Sequence, residues 1–335
     1  MKKLFRILAV LVLIVVVALV GIIAYIKIQL PDVGEAPDLQ VDVNAERVEH
    51  GRYLANAVVV CMDCHSSRDW SKFSGPIKPG TEGMGGERFD QSMGFPGVFY
   101  SKNITPAGIS RYSDGELYRL ITMGVTKEGR AIFPVMPFTY YGKMDSEDVY
   151  SIIAYLRTLS PIENSVLDSE AEFPMNIILN TIPEKNTPTP RPEKSDELAY
   201  GAYMVSAAAC KECHTQANNG QIIPGLAFSG GRQFNFPDGS IVRSANITPH
   251  KETGIGTWTK ENFIQRFKLH ADSSYVIPVV NPGEFNTIMP WTMYANMTEE
   301  DLGSIYTYLR SLEPMENRVE KFTPAAAKQL TAEKN

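Results

Sequence analysis

Two short stretches hold the side chains of this 335-residue chain that are best suited to cofactor chemistry. Each has two cysteines and a following histidine: Cys61, Cys64 and His65 in "VVCMDCHSS", and Cys210, Cys213 and His214 in "AACKECHTQ". Together they use all four cysteines of the chain. A Cys-x-x-Cys-His sequence is the attachment signal for c-type haem. Two thiols on one helical turn can form thioethers to the two vinyl groups of a porphyrin, and the next imidazole can then bind the iron. The pattern therefore predicts two covalently bound haem c groups.

Paired cysteines have other uses. A thioredoxin-like redox pair belongs to a βαβ pattern, which the sequence does not show. A Cys₄ zinc site would have to bring together two pairs that lie well over a hundred residues apart, and would make the protein a non-redox structural domain. Because the five-residue signal occurs twice, in register with a longer repeat, haem attachment is the favoured interpretation.

The longer repeat consists of three matched blocks in the same order. They pair residues 50–65 with 200–214, 101–109 with 244–255, and 141–164 with 294–317, the last at a constant offset of 153. Two copies suit a tandem pair of globular domains better than a solenoid. The predicted organisation is an anchor at 1–30, cytochrome c-type domains at 45–164 and 196–317, a Pro-rich linker at 165–195 and a polar, frayed tail at 318–335. Within the linker, the apolar "FPMNIIL" is expected to pack across the domain junction.

Haem iron has a sixth coordination position, and the repeat indicates which side chain fills it. Within the first copy, five methionines follow the cysteine pair: Met84, Met93, Met123, Met136 and Met144. Only Met136 and Met144 have counterparts at offset 153, namely Met289 and Met297. Met144 and Met297 directly precede expected helix caps, where an apolar residue packs on the first turn. Met136 and Met289 precede prolines, which favour an extended loop able to present sulfur to iron. They are the predicted axial ligands, with ordinary core packing as the alternative.

The three remaining histidines have no histidine at the matched position of the other copy. They are His50, His250 and His270. A surface or structural role is expected for each, and His270 is the alternative ligand in the second copy because it lies near the methionine-bearing loop.

The secondary structure is predicted to be mainly helical. One helix precedes each cysteine pair, and a second starts at Ser113 or at Thr259, with Glu116 completing a capping box in the first copy. The last helix starts at Asp145 or Thr298, and the Gly-rich regions 74–97 and 220–240 are expected to be loops.

The N-terminus predicts a membrane anchor. Residues 7–26 contain no charged side chain. A helix of this length spans the hydrocarbon core of a membrane, and the apolar run is longer than that of a typical signal peptide. Lys2, Lys3 and Arg6 are expected to stay in the cytoplasm, with the haem domains on the periplasmic side of the inner membrane. The net charge of the chain is −6, and without those three residues the remainder is more acidic. This argues against nucleic-acid binding.

These features resemble tandem class I cytochromes c related to the multi-haem cytochrome subunits of membrane-bound alcohol and gluconate dehydrogenases. The resemblance rests on the two CxxCH motifs, on "NITP" with "GIGTW" downstream, on "MPF" and "MPW", and on "YLRTLSP" and "YLRSLEP". It covers about residues 45–316. It implies helical haem domains whose first and last helices cross, with Gly51 and Tyr53 against Tyr155 and Leu156. It also implies the ligand pairs His65/Met136 and His214/Met289. Those subunits typically carry three haems and a C-terminal anchor, whereas this chain has two haem signals and an N-terminal apolar segment.

The expected function is electron transport by a membrane-anchored dihaem cytochrome, without a catalytic residue of its own. Its partners would be a redox donor, a redox acceptor and the cytochrome c maturation machinery. The donor would be a periplasmic dehydrogenase or a quinol-oxidising complex. The alternative is a dihaem enzyme such as a peroxidase or a thiosulfate dehydrogenase, which would need a displaceable or absent sixth ligand and a distal acid–base group.

Overall fold

The computed structural model describes residues 1–218 and 220–325, and most of their regular structure is helical. The helices are α1 (Lys2–Gln29), α2 (Ala45–Tyr53), α3 (Cys61–Cys64), α4 (Pro106–Ile109), α5 (Asp114–Met123), α6 (Phe138–Tyr141), α7 (Ser146–Thr158), α8 (Met175–Ile178), α9 (Glu197–Ala207), α10 (Cys210–Cys213), α11 (Lys260–Lys268), α12 (Trp291–Tyr294) and α13 (Glu299–Ser311). Short 3₁₀ turns lie at Gln91–Met93, Leu179–Thr181 and Leu269–Ala271. This agrees with the mainly α class predicted from the sequence.

The helix starts are those that the capping residues predict. Ser113 Oγ accepts from the backbone N–H of Glu116 at 3.2 Å, and the Glu116 carboxylate accepts from the Ser113 N–H at 2.8 Å. Thr259 forms the same box, with Asn262 in place of the glutamate. Asp145 and Thr298 cap α7 and α13. Each cap satisfies N–H groups that a helix leaves unpaired at its first turn.

The first and last helices of each half cross at a glycine. A methyl group added to Gly51 on α2 would lie 1.8 Å from the Ser151 carbonyl oxygen on α7, and one on Gly201 of α9 would lie 2.0 Å from the Ser304 oxygen on α13. Only glycine allows the two backbones to approach this closely. The crossing that the family resemblance implies is therefore present in both halves.

The one-residue difference between the repeats has a local structural cause. After α2 the chain continues as a π-helical turn at Leu54–Val58, in which the Val59 N–H donates to the Leu54 carbonyl at 2.9 Å. The counterpart α9 runs to Ala207 with ordinary α-helical geometry. A π turn accommodates one extra residue without breaking the helix, so both helices lead into their cysteine pair in the same way.

Within residues 1–218 and 220–325, eight short strands that the sequence did not predict form three antiparallel sheets. They are β1 (Arg88–Phe89), β2 (Gly97–Tyr100), β3 (Glu170–Ala171), β4 (Ala217–Asn218), β5 (Gln221–Ile222), β6 (Gln233–Asn235), β7 (Ile241–Arg243) and β8 (Phe322–Thr323). The sheet orders are β1-β2-β3, β4-β5 and β6-β7-β8, with Arg88 opposite Tyr100 and Ile241 opposite Thr323. The expectation of a frayed tail is wrong at β8, which pairs with the second half. Residues 326–335 of that tail lie outside the described residues.

The two halves share one continuous apolar core, and a reciprocal pair of tyrosine–aspartate hydrogen bonds is among the contacts that join them. The Tyr203 hydroxyl in the second half donates to the carboxylate of Asp148 in the first, and the Tyr53 hydroxyl in the first donates to Asp301 in the second. Asp148 and Asp301 occupy matched positions, so the junction is related by an approximate two-fold exchange of the halves.

The apolar segment "FPMNIIL" does not lie at this junction. Its helix α8 contacts the last turns of α1, where Lys27 Nζ donates to the Asn176 carbonyl at 2.9 Å and Asn180 Nδ2 donates to the Ile26 carbonyl at 3.3 Å. The junction expectation was wrong because side chains from α2, α7, α9 and α13 already fill that contact. Helix α1 is 28 residues long, with no buried residue and a mean hydropathy of 3.5 over its most apolar window.

Candidate haem sites

Each cysteine pair lies on a one-turn helix that follows a left-handed residue. Val60 before α3 has φ 47°, and Ala209 before α10 has φ 49°. This left-handed conformation is unfavourable by roughly 1–2 kcal/mol for a non-glycine residue, so contacts with the surrounding structure must stabilise it. In both helices the histidine N–H donates to the first cysteine's carbonyl, at 3.0 Å and 2.9 Å. Two thiols and an imidazole are thereby placed along a single turn.

Part of what holds the left-handed turn is a tyrosine that sequence reasoning missed. The buried Tyr141 hydroxyl donates to the Val59 carbonyl at 3.1 Å, and the Tyr294 hydroxyl donates to the Ala208 carbonyl at 3.0 Å. Both carbonyls belong to the residue two positions before the first cysteine. The sequence did contain an indication of their importance, because the two tyrosines occupy matched positions of the repeat, 153 residues apart.

The two histidines are oriented through the same ring nitrogen. His65 Nδ1 donates to the Lys102 carbonyl at 2.6 Å, and His214 Nδ1 donates to the Ala245 carbonyl at 2.7 Å. A carbonyl can only accept, so Nδ1 carries the proton and the lone pair is on Nε2. Burial lowers the pKa of both imidazoles and keeps them neutral. A neutral imidazole whose Nδ1 is held by a carbonyl is the usual arrangement of a histidine metal ligand.

The "NITP" motif directly follows these carbonyls and holds them in place, which explains its recurrence. In the first half the Asn103 side-chain oxygen accepts from the N–H and hydroxyl of Thr105, and its amide donates to the Ile162 carbonyl at 2.7 Å. Asn246 makes the same bonds to Thr248 and to Met315. The asparagine therefore fixes the loop, and the residue before it presents its carbonyl to the histidine.

All four cysteines are free thiols, with Cys213 the most exposed. Desolvation by the surrounding protein raises the pKa of Cys61, Cys64 and Cys210 to about 12 and that of Cys213 to about 11. Among the described residues, no cluster of three or more His, Cys, Asp or Glu side chains could hold a metal ion. The two pairs therefore do not form the Cys₄ cluster that the zinc alternative requires.

The acidic residue inside each cysteine pair is bound by an arginine. Asp63 pairs with Arg68 at 2.7 Å, both buried, and Glu212 pairs with Arg232 at 2.5 Å. Burial raises the pKa of Asp63 to about 6, against the opposing effect of Arg68. The Tyr140 hydroxyl of the first half also donates to Glu212 at 3.3 Å, so the second cysteine helix lies beside the first methionine loop.

The methionines divide as the sequence indicates. Met144 and Met297 are 2% exposed and lie in the core, just before the caps of α7 and α13. Met136 and Met289 are half-buried and lie in the loops that lead into α6 and α12. Each of these loops closes with a bond from the N–H two residues later to the methionine carbonyl, at 2.8 Å. Iron ligation by Met136 and Met289 stays a prediction.

The other histidines have protein partners that suit structural roles. His50 Nε2 lies 2.6 Å from an Asp148 oxygen, and His250 Nδ1 accepts from Thr253. His270 lies between the rings of Phe73 and Trp291, with centroid distances of 6.1 and 5.2 Å. Burial, aided by Arg266, lowers the pKa of His270 to about 4. These contacts favour packing over ligation for His270.

In each half, the donor set fits haem c. Two thiols lie on one turn, a neutral imidazole follows with its Nε2 lone pair available, and a half-buried thioether lies in a loop of the same half. Thiolate, imidazole and thioether are the groups that attach and ligate haem in c-type cytochromes.

No family model matches the chain. A search of curated proteins finds the cytochrome c subunit of a quinone-type alcohol dehydrogenase from Gluconacetobacter polyoxogenes, 25% identical over 87% of this chain and 62% of that protein. The gluconate 2-dehydrogenase cytochrome c subunit of Pantoea cypripedii is 24% identical over 80% of this chain and 60% of its own length. A dihaem cytochrome c-type protein of Cereibacter sphaeroides is 28% identical over 47% of this chain and 54% of that protein.

The chain thus spans about three fifths of the length of the first two relatives. These relatives support a cytochrome c fold, covalently bound haem c and a role in electron transfer. They confirm the resemblance drawn from the motifs: over most of its length, this chain is a relative of the cytochrome c subunits of alcohol and gluconate dehydrogenases.

Proposed function

We propose that the protein is a membrane-anchored dihaem c-type cytochrome that carries electrons and has no substrate site of its own. Residues 45–164 and 196–317 are its two cytochrome c domains. The observation that carries the proposal is an equivalent hydrogen bond at each motif histidine. The Nδ1 atoms of His65 and His214 donate to backbone carbonyls at 2.6 and 2.7 Å. This leaves one Nε2 in each half available to iron.

The roles of the side chains follow from the donor sets. The thiols of Cys61 and Cys64, and of Cys210 and Cys213, would each add across a vinyl group to form a thioether. His65 and His214 would bind the iron through Nε2, and Met136 and Met289 would bind it through sulfur. Haem c, when bound, supplies an iron that takes up and releases one electron. Thioether ligation raises the reduction potential relative to a second histidine, which suits a carrier that feeds a terminal acceptor.

Close packing of the two halves supports electron relay between the haems. The Tyr140 hydroxyl of the first half donates to Glu212, which lies between Cys210 and Cys213. The hydroxyl of the adjacent Tyr141 donates to the Val59 carbonyl, just before the first cysteine helix. Two neighbouring residues of α6 therefore contact both attachment segments.

The anchor proposal rests on α1 and on its contacts with the body. The helix has the length and hydropathy of a single membrane span, with Lys2, Lys3 and Arg6 at its N-terminal end. Its last turns hydrogen-bond to Asn176 and Asn180. We propose that the helix is retained in the inner membrane and that the haem domains face the periplasm. Resistance of the protein to alkaline carbonate extraction, with Met1 or its near neighbours intact by mass spectrometry, tests this against a cleaved signal peptide.

The relatives suggest the partners. Their names assign them to dehydrogenase complexes, so a dehydrogenase or a quinol-oxidising complex is the proposed donor, and a downstream redox protein the acceptor. The maturation machinery that attaches haem to Cys-x-x-Cys-His would act on the chain beforehand.

Haem stoichiometry is the first test of the proposal. The pyridine haemochrome assay should give two haems per unmutated chain. It should give one after Cys61→Ala/Cys64→Ala and one after Cys210→Ala/Cys213→Ala. The sulfur–iron band of the oxidised protein should halve in Met136→Leu and in Met289→Leu. A colourless protein would contradict the proposal, and peroxide turnover by the unmutated protein would favour the dihaem peroxidase instead.

A further inference from the structure

A loop of the first half is bonded to the methionine loop of the second half. The Val280 N–H donates to the Ser71 carbonyl at 2.8 Å, and the Phe73 N–H donates to the Pro278 carbonyl at 2.9 Å. Residues 71–73 thereby run antiparallel to residues 278–280, and the ring of Phe73 stacks on His270. The contact joins two loops that have no counterpart in the repeated motifs.

Ser74 is the centre of this contact. It is fully buried, and its hydroxyl donates to the Met289 carbonyl at 2.6 Å and accepts from the Trp291 N–H at 3.1 Å. Its own N–H donates to the Asn286 side-chain oxygen at 2.9 Å. One residue of the first half therefore holds the second methionine loop on both sides of Met289.

Ser74 is in turn fixed by the first cysteine helix. Arg68 donates to the Ser74 carbonyl at 2.6 Å and to the Gly75 carbonyl at 2.7 Å, and its remaining terminal nitrogen pairs with Asp63 at 2.7 Å. Asp63 lies between Cys61 and Cys64. A continuous buried network thus runs from the first attachment helix to the second methionine. Buried networks of this kind, once fully paired, hold a single geometry.

The first methionine loop has the same internal bond as the second: the Met136 carbonyl accepts from the Phe138 N–H at 2.8 Å, as the Met289 carbonyl does from the Trp291 N–H. What differs is the contact that the opposite half makes with the first loop. The second half contacts this loop through Tyr140 and Glu212, four residues beyond the methionine and at 3.3 Å. The direct bond from the opposite half is therefore made to Met289, at the ligand residue itself.

We propose that Ser74 is a positioning residue for the second haem: it keeps Met289 in place, so that the sixth ligand of one haem depends on the domain that carries the other. The inference rests on the proposed function, because it requires Met289 to bind iron. The Ser74 hydroxyl bonds to the carbonyl of the ligand residue, so removing the hydroxyl frees the loop to move the sulfur away from iron. An external ligand should then compete more successfully with Met289 and not with Met136.

Imidazole titration of the oxidised full-length protein tests this. In a Met136→Leu background, the sulfur–iron band reports Met289 alone, and in a Met289→Leu background it reports Met136 alone. Adding Ser74→Ala to the first background should lower the imidazole concentration that removes half of the band by about tenfold, the effect of losing one buried hydrogen bond. Adding it to the second background should change that concentration by less than about twofold.

Two further variants separate positioning from general loosening. Ser151→Ala removes a buried hydroxyl whose bond is to the Glu147 carbonyl of its own helix, and should leave both titrations unchanged. Asn286→Ala removes the partner of the Ser74 N–H, and should sensitise the Met289 haem in the same direction as Ser74→Ala.

The outcomes are distinguishable. A band in the Met136→Leu background that Ser74→Ala leaves unmoved overturns the inference alone, as does equal sensitisation of both haems. Absence of any band in that background before Ser74 is changed overturns Met289 ligation, and the inference with it.

Discussion

The two halves of the molecule bind their motif histidines with equivalent hydrogen bonds but surround their buried carboxylates with different partners. His65 and His214 each donate from Nδ1 to a backbone carbonyl, with distances that differ by only 0.1 Å. Asp148 and Asp301 also occupy matched positions, and each is about 1% exposed. Yet Asp148 is bound by His50, Arg191 and Tyr203, whereas Asp301 is bound by Tyr53 and Tyr200, with Lys194 at 3.4 Å.

This difference separates two kinds of residue. Those that shape the site inside one half, such as Asn103 and Tyr141, keep their partners in both copies. At the junction the tyrosine–aspartate bond is kept in both directions. The further partners of each carboxylate differ, with His50 and Arg191 at Asp148 but Tyr200 and Lys194 at Asp301. Two halves with matched candidate sites can therefore give those sites different surroundings, and the junction is where the difference arises.

The largest expected effect tests the equivalence of the helix crossings. Gly51→Ala and Gly201→Ala each force a methyl group to within about 2 Å of a backbone oxygen on the opposing helix. Each should reduce the free energy of unfolding by about 3 kcal/mol or more, because neither backbone can move without disturbing the core. Urea unfolding of the haem-loaded protein measures this.

Gly303→Ala is the matched control. It lies on α13, but the nearest atom to an added methyl group is the Lys260 Cδ at 3.5 Å, an ordinary contact. The substitution should be neutral or stabilising by about 0.5–1 kcal/mol, since alanine is the better helix former. A large loss at Gly51 together with none at Gly201 would show that the two crossings are not equivalent.

An intermediate effect should sharpen the difference between the carboxylates. Tyr53→Phe removes a hydrogen-bond donor from Asp301 and should lower the free energy of unfolding by about 2 kcal/mol, because the cation that remains, Lys194, is 3.4 Å away. Tyr203→Phe should cost about 1 kcal/mol, because Asp148 keeps both Arg191 and His50. Urea midpoints measure both, with Tyr100→Phe on β2 as a control expected to change by less than about 0.5 kcal/mol. The reverse order of costs would contradict this account of the junction.

The last effect depends on pH and concerns His270, which has no histidine counterpart in the first half. Burial, aided by Arg266, lowers the pKa of His270 to about 4 in the folded protein. At a pH below the usual histidine pKa of about 6.5, the unfolded chain therefore binds a proton more readily than the folded protein does. Stability should therefore fall as the pH drops from about 6.5 to 5, by about 1–2 kcal/mol from this residue. His270→Phe should flatten that part of the stability–pH curve, and an unchanged slope would show that another group is responsible.

Sequence patterns predicted those parts of the fold that depend on nearby residues. The caps at Ser113, Thr259, Asp145 and Thr298 are confirmed because a cap is a contact between residues three or fewer positions apart. Strand β8 was missed because it pairs with a strand some eighty residues earlier, and nothing local marks it. In the sequence, the π turn shows as one extra residue between Gly51 and Cys61 relative to the second copy. That difference does not reveal where in the helix the extra residue is accommodated.

What the sequence determined by itself is the set of candidate donor groups. Cys-x-x-Cys-His keeps its three groups within five consecutive residues, and the register of the repeat predicts Met136 and Met289 as the iron ligands. The tertiary structure decided which groups hold those residues in place. The Lys102 and Ala245 carbonyls, the hydroxyls of Tyr141 and Tyr294, and the bond from Ser74 to Met289 all join residues distant in the chain. Such contacts depend on how helices and loops pack, because hydrogen-bond distance between remote residues is set by the whole fold and not by local spacing.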